Sequence, residues 1–469
     1  MQLLRNPAGK NVVVIGGGKT GAAAARLLVK LGAQVTVVDD APLAKVIEGL
    51  EQHGVSSAAV TVRAGGIDAT LVAGADLCVL SPGVARAHAA VQAALASSVP
   101  VVNEVELAAA HVPSSVAIIG ITGTNGKSTT TTMCGAIAKA FDANAFVGGN
   151  LGTPWCQAVV EGGAAPAIAV LELSSYQLET IHHLPLRAAV VTNLSPDHLD
   201  RYASAAAYYA AKARIFELVV PGGGTVLNAA DAESRAQLFS VRGEGTTCDF
   251  DIPAAIDGTN GVAIAADRLS VRMALSVSEV MLRNAHIVGH HNRQNAAAAI
   301  AAIALCGVPS GVWQRGLDSY AGIAHRLERV GERGGVVWFN DSKGTNVDAT
   351  VTAVKCFPSG VHLIAGGVGK HTPYAPLVEA ARGRVRVVYT IGEDAPAIAA
   401  AFAGVAQVVP CVTLDAACRQ AQQQARAGDV ILLSPACASF DQFKDYVHRG
   451  ETFRALFASL APPASESST

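Results

Sequence analysis

Along this 469-residue chain, short β-branched runs alternate with Ala- and Leu-rich stretches of helical character. That is the pattern of parallel strands joined by crossover helices. A first set reads NVVVIGGG, AQVTVVDD, ADLCVLSPG and VPVVNE. The punctuating HVPSS at residues 111–115 closes it, and VAIIGITG, AIAVLELSS, AAVVTNLSP and GGTVLNAAD follow as a second set. From about residue 246 to residue 290 the pattern turns to polar–apolar alternation, as in LSVRMALSVSEVMLRN, which predicts an antiparallel patch. HNRQNAAAAIAAIAL predicts a helix, and after AGIAHRLERV a third set appears: GVVWFNDS, GVHLIAGG, VRVVYTIG and GDVILLSPA. The closing APPASESST is rich in Pro and Ser and predicts a disordered tail. The expected architecture is α/β, three domains each built on a mostly parallel sheet, covering residues 1–110, 111–322 and 323–469.

Composition narrows the class without choosing an activity. Half the residues are hydrophobic, 15% are charged and 46 are glycine, a globular α/β profile. The net charge of −2 and the lack of a long basic run give no reason to expect a nucleic-acid partner. Nine scattered cysteines without a Cys-x-x-Cys pair suit a reducing compartment. The amino end lacks a signal-peptide layout. No uncharged apolar stretch reaches the roughly 18 residues a membrane helix needs. A soluble cytoplasmic protein is expected.

The strongest local chemistry is GITGTNGKSTTTT, between a strand and a helix. Ile121 breaks the strict phosphate-loop pattern, yet Gly123, Thr124, Asn125, Gly126, Lys127, Ser128 and Thr129 keep its working parts. Glycines let backbone N–H groups approach phosphate oxygens, the lysine neutralises them, and the serine hydroxyl suits Mg²⁺. The plain alternative is a tight glycine turn with a surface lysine. VVVIGGGKTGAAAARLL spaces Gly16, Gly18 and Gly21 as a dinucleotide fingerprint with Asp39 after the next strand. Turn glycines without a ligand fit that stretch as well.

Glu172 ends the strand of VLELSSYQLE, and His198 follows the strand before NLSPDHLDRY. Each alone suits a helix-start acid or a packing histidine. Beside a phosphate loop they become candidate ligands for a divalent cation. Ser204 predicts an N-cap for a helix in which Tyr208, Lys212 and Phe216 share one face. Burial among aromatic groups would lower the Lys212 pKa and leave neutral amine. In the third set, NDSKGTNVDAT, LIAGGVGKH and LLSPACASFDQFKDY place polar loops at three strand ends. They suggest a site for a small charged molecule. Ser342 and Asp341 could be mere helix caps; Lys343 and Lys370 together need an anion.

These pieces resemble the Mur ligases, the ATP-dependent amino-acid-adding enzymes of peptidoglycan synthesis. The resemblance covers nearly the whole chain through GTNGKST, ELSSYQLE, NLSPDHLDRY, YYAAKARIF, GHHNRQNAAAA, HRLERV, NDSKGTNVDAT and SPACASFDQFKDY in family order. DSKGTN and SPACASFDQF are similar to its glutamate-adding branch. The resemblance implies Rossmann-like outer domains around a central P-loop domain. It implies UDP-N-acetylmuramoyl-L-alanine and glutamate as substrates, and a monomer without a nucleic-acid or membrane partner. Lys19, Thr20, Asp39, Gly83 and Asn150 would hold the UDP-substrate. Gly123 to Thr129, Asn292, Asn295, Arg326 and Asp341 would hold ATP, and Ser128, Glu172, His198 and Lys212, as its carbamate, would hold Mg²⁺. Thr345, Lys370, Ser439 and Tyr446 would hold glutamate. Lys127, His198, Lys212 and Lys343 would be catalytic, acting through an acyl phosphate. The alternative is a Mur-type ligase for L-glutamate or another amino acid.

Four positions depart from the family. Asp40 and Ala41 stand where a Thr or Ser and then an Arg are common, and Gly17 replaces a larger aliphatic residue. Gly344 replaces Ala and is expected to loosen the loop facing the amino-acid site.

Overall fold

The computed structural model describes residues 2–66, 69–199, 201–243, 245–253, 260–274, 276–369 and 372–460. Lys370 and the Pro/Ser-rich tail lie outside the described residues. Two compact units form. One runs to Leu282 and resumes over Gln294–Ser319; the other comprises Arg283–Arg293 and the chain from Tyr320.

The first unit contains two parallel sheets. In the first, the order is Thr61–Ala64, Gln34–Asp39, Asn11–Ile15, Leu77–Leu80, Val101–Asn103. Its central strands are unbroken apolar runs because helices cover both faces; the buried alanines 22–25 of helix Lys19–Lys30 belong to that packing. In the second, the order is Thr246–Thr247, Val219–Leu227, Leu186–Val191, Ala117–Thr122, Ile168–Glu172, Phe146–Gly149. A small four-stranded sheet spans Asp249–Phe250 to Ser276–Met281. The alternating segment is therefore a sheet as expected, but it ends at Met281, and its first pair is parallel.

The second unit holds one sheet, ordered Glu328–Arg333, Val336–Asn340, Val430–Leu433, Val361–Gly366, Val385–Ile391, Gln407–Val412. Only the Glu328–Arg333 edge is antiparallel. The mostly parallel α/β reading holds. What it missed were Thr61–Ala64, Phe146–Gly149, Glu328–Arg333 and Gln407–Val412, all of them edge strands. Among the described residues no helix is long and apolar enough to cross a membrane.

Candidate active site

In the second sheet, Leu186–Val191, Ala117–Thr122 and Ile168–Glu172 are adjacent and parallel. The loops after their carboxyl ends therefore meet at one edge, where open α/β sheets bind ligands. The loop after Thr122 turns into helix Lys127–Phe141 at Gly126, which has φ +82°. A Cβ there would be strained, and it would lie 2.4 Å from Asn295 Oδ1. Asn295 Oδ1 also accepts from the Thr130 hydroxyl at 3.2 Å, so Asn295 sits against the loop. Ser128 and Thr129 are buried in the first helical turn. Lys127 Nζ donates to the carbonyls of Gly123 and Thr124 at 3.0 and 2.8 Å.

The segment after Val191 zips onto this loop. Thr124 N donates to Asn193 O, Asn125 N to Asn193 Oδ1 at 2.9 Å, and the Thr192 hydroxyl to Asn125 O at 2.6 Å. Thr192 and Asn193 are thus site residues that sequence reasoning passed over. Their only signal was their place between a strand and the DHLD turn.

Lys212 lies on helix Ala205–Ala213, capped by Ser204 as expected. Phe216 falls beyond it, in a tighter 3₁₀ turn. The Lys212 side chain is buried, its Nζ donates to Gly123 O at 2.8 Å and stands 4.5 Å from the Tyr208 ring. Burial, then the nearby Lys127 charge, pull its pKa down to about 6. Two lysine amines therefore meet one carbonyl, and one of them is largely neutral at pH 7. Beside them Glu172 is buried: Oε1 accepts from Asn150 Nδ2 at 2.8 Å, and Oε2 has no hydrogen-bond partner among the described residues. A buried bare carboxylate oxygen is costly unless a proton or a cation meets it, so Glu172 fits a divalent ion. Among the described residues no three His, Cys, Asp or Glu side chains form a ready-made cage. The expected ligands include only two such side chains, with Ser128 and Lys212 as the others. His198 is half exposed, and its Nδ1 lies 2.9 Å from the Tyr176 hydroxyl.

In the first sheet Asp39 is engaged by its own chain: Oδ2 accepts from Gly17 N at 2.6 Å and Oδ1 from Ala41 N at 2.8 Å. Lys19 Nζ donates to Gly152 O at 2.8 Å, which brings it beside the Asn150 loop. Thr20 is the second residue of helix Lys19–Lys30, and Gly83 lies in the turn after Leu80, where an added Cβ would meet nothing within 4 Å.

In the second unit a residue not anticipated draws together the loops of three glutamate-site candidates, Thr345, Ser439 and Tyr446. Arg449 is buried, and its guanidinium donates to the Ser342 hydroxyl and carbonyl and to the carbonyls of Cys437 and Ala438. It ties the loop carrying Asp341, Lys343 and Thr345 to the loop carrying Ser439. The Ser342 hydroxyl donates to Tyr446 O at 2.8 Å, and Lys343 Nζ lies 5.8 Å from the Tyr446 ring. Asp341 is buried and accepts from the Ser434 hydroxyl at 2.7 Å; burial raises its pKa to about 6. Neither Asp341 nor Ser342 caps a helix, because Asn346 caps Val347–Val354. Gly344 corrects its expectation too. A Cβ there would lie 2.6 Å from Asp341 Oδ2, so the loop is tight rather than loosened. Arg326 is half-buried near Asp341, and Asn292 Nδ2 donates to Val288 O at 2.9 Å.

Comparison with known proteins adds to this geometry. Residues 10–103 match the Mur ligase MurD-like N-terminal domain, 121–303 the Mur ligase middle domain, and 325–437 the Mur ligase glutamate ligase domain. The UDP-N-acetylmuramoylalanine–D-glutamate ligase of Myxococcus xanthus is 47% identical over 96% of this chain and 99% of its own length. The enzyme of the same name from Anaeromyxobacter dehalogenans is 46% identical over 97% and 98%. In fold, the chain is similar to a crystal structure of MurF from Acinetobacter baumannii, with a TM-score of 0.60 at 16% identity, covering 96% of this chain and 91% of that one.

Proposed function

The chain belongs to the Mur ligase family of ATP-dependent amide-forming ligases, and from that premise we propose that it joins D-glutamate to UDP-N-acetylmuramoyl-L-alanine in the cytoplasm, as a monomer. The observation carrying this reading is the meeting of Lys127 and Lys212 on the Gly123 carbonyl beside a buried carboxylate with a bare oxygen.

A carboxylate is a poor electrophile, so the alanyl carboxylate must first become an acyl phosphate, which the glutamate amine then attacks. Gly126 and the start of helix Lys127–Phe141 would present backbone N–H groups to the phosphates, and Lys127 would carry positive charge to them. Asn292 and Asn295 would lie at the adenine, and Arg326 and Asp341 would also hold ATP. Ser128, Glu172, His198 and carbamylated Lys212 would hold Mg²⁺, which when bound spreads the charge of the transferring phosphoryl group. A Lys212 amine already unprotonated near pH 7 can add CO₂ and release a proton, becoming an anionic oxygen donor. Lys19, Thr20, Asp39, Gly83 and Asn150 would hold the UDP-substrate. Thr345, Ser439 and Tyr446 would orient glutamate, Lys370 would meet its charge, and Lys343 would lie at the reacting groups.

The test is product formation from UDP-N-acetylmuramoyl-L-alanine and ATP, with D-glutamate and L-glutamate in parallel. ADP release with D-glutamate alone is expected. Equal turnover with lysine or diaminopimelate would sink the assignment.

A further inference from the structure

His198 is held on its main chain and on its ring. Its φ of +53° is left-handed, which costs a non-glycine residue roughly 1–2 kcal/mol, and such a residue persists only when its surroundings over-determine it. The His198 carbonyl accepts from the backbone N–H groups of Arg201 and Tyr202, both at 3.0 Å. The Tyr176 hydroxyl stands 2.9 Å from Nδ1, and the rings of Tyr176 and Tyr208 lie 5.2 and 5.8 Å from the imidazole. Tyr176 is fixed in turn by the Arg201 guanidinium, 3.5 Å above its ring. Arg201 and Tyr202 both reach Glu179. Tyr176 sits in the short helix Ser175–Leu178, which begins three residues after Glu172. One turn thus bears a buried carboxylate and the phenol that meets the imidazole.

We propose that Tyr176 is a positioning residue for His198: with a divalent cation on Nε2, its phenol oxygen accepts the Nδ1 proton and fixes the tautomer and direction of the ring. This rests on the magnesium reading above. A histidine that binds a metal through one nitrogen carries a proton on the other and needs a partner for it. Tyr176 occupies Nδ1, which leaves Nε2 for the ion. Among the described residues, the carboxylate oxygen facing Nε2 is Asp197 Oδ2 at 3.6 Å, beyond hydrogen-bond distance.

Titration of the full chain with Mn²⁺, followed by electron paramagnetic resonance with a non-hydrolysable ATP analogue present, tests this. Tyr176→Phe keeps the ring and its contact with Arg201, and should weaken Mn²⁺ about tenfold or more with melting temperature and UDP-substrate affinity unchanged. Affinity within twofold of the parent overturns the inference. A parallel fall in melting temperature also overturns it, by making Tyr176 a structural residue. If the parent protein shows no nucleotide-dependent Mn²⁺ site, the magnesium reading fails first and this inference with it.

Discussion

Two loops of the first unit share one plan of strand, glycine turn and helix, and put it to different uses. In the turn from Gly16 to Gly21 the chain closes on itself. A Cβ on Gly21 would lie 1.9 Å from Gly16 O, the Ser81 hydroxyl donates to that same carbonyl at 2.7 Å, and Asp39 takes Gly17 N. Its lysine, Lys19, leaves for Gly152. In the turn from Gly123 to Ser128, Gly123 is packed against the Thr192 hydroxyl and Gly126 against Asn295 from a distant helix, but two lysine amines also converge on one carbonyl. The glycines of both turns admit close neighbours; the second turn also concentrates basic nitrogen where an anion would bind. Glycine spacing does not tell the two apart. The lysines do.

The largest expected difference is therefore between lysines. Lys212→Ala should lower kcat on the order of 10²–10³-fold, the loss typical of one electrostatic stabiliser, and added bicarbonate or a short carboxylate should restore part of it. Lys19→Ala should leave kcat within about tenfold and act mainly on KM for the UDP-substrate, since rim charges govern binding more than chemistry. Steady-state kinetics of the two variants side by side checks this. A fully active Lys212→Ala would erase the contrast.

A crossed pair of glycine variants sharpens it. Gly126→Ala forces an L side chain to positive φ, about 1–3 kcal/mol of strain, and pushes Asn295 away; KM for ATP should rise several-fold. Gly21→Ala places a methyl on a backbone carbonyl, and overpacking of that kind costs about 1–3 kcal/mol; ATP kinetics should not change. Chemical denaturation and KM for ATP, measured on both, would show whether the two effects stay separate.

The central strands were legible because burial on both faces makes them continuous apolar runs. The four unread strands are edges, and their exposed or half-exposed residues, as in TVRA and ERVGER, leave no such run. Within the site, the strand-to-helix motifs were legible because their spacing is local. Arg449 was not: its four acceptors come from residues 342, 437 and 438, and no local pattern marks an arginine for them. Thr192 and Asn193 were hidden for the same reason, being bonded to a loop about 70 residues away. At Asp39, spacing points to a ligand but does not show that both carboxylate oxygens also accept backbone N–H groups.

The smallest effect concerns the seam between the two sheets that carry these loops. Glu104 opens helix Glu104–Ala109 at the end of the first sheet, is buried, and accepts from the N–H of Cys156 beside the second. Burial raises its pKa from 4.5 to about 7. Between those values the folded chain holds a proton that the unfolded chain has lost. Stability is then full below pH 4.5, falls as pH rises through the window, and is level above about 7. A glutamine imitates the protonated acid, with an acceptor for Cys156 N and no charge to bury. Glu104→Gln should match the parent at pH 5 and exceed it by about 1–3 kcal/mol at pH 8, by chemical denaturation at both. KM for ATP should not move, because neither loop touches Glu104 through a side chain already named. Equal destabilisation at both pH values would mean that the carboxylate is ionised in the fold, and that its hydrogen bonds outweigh its burial.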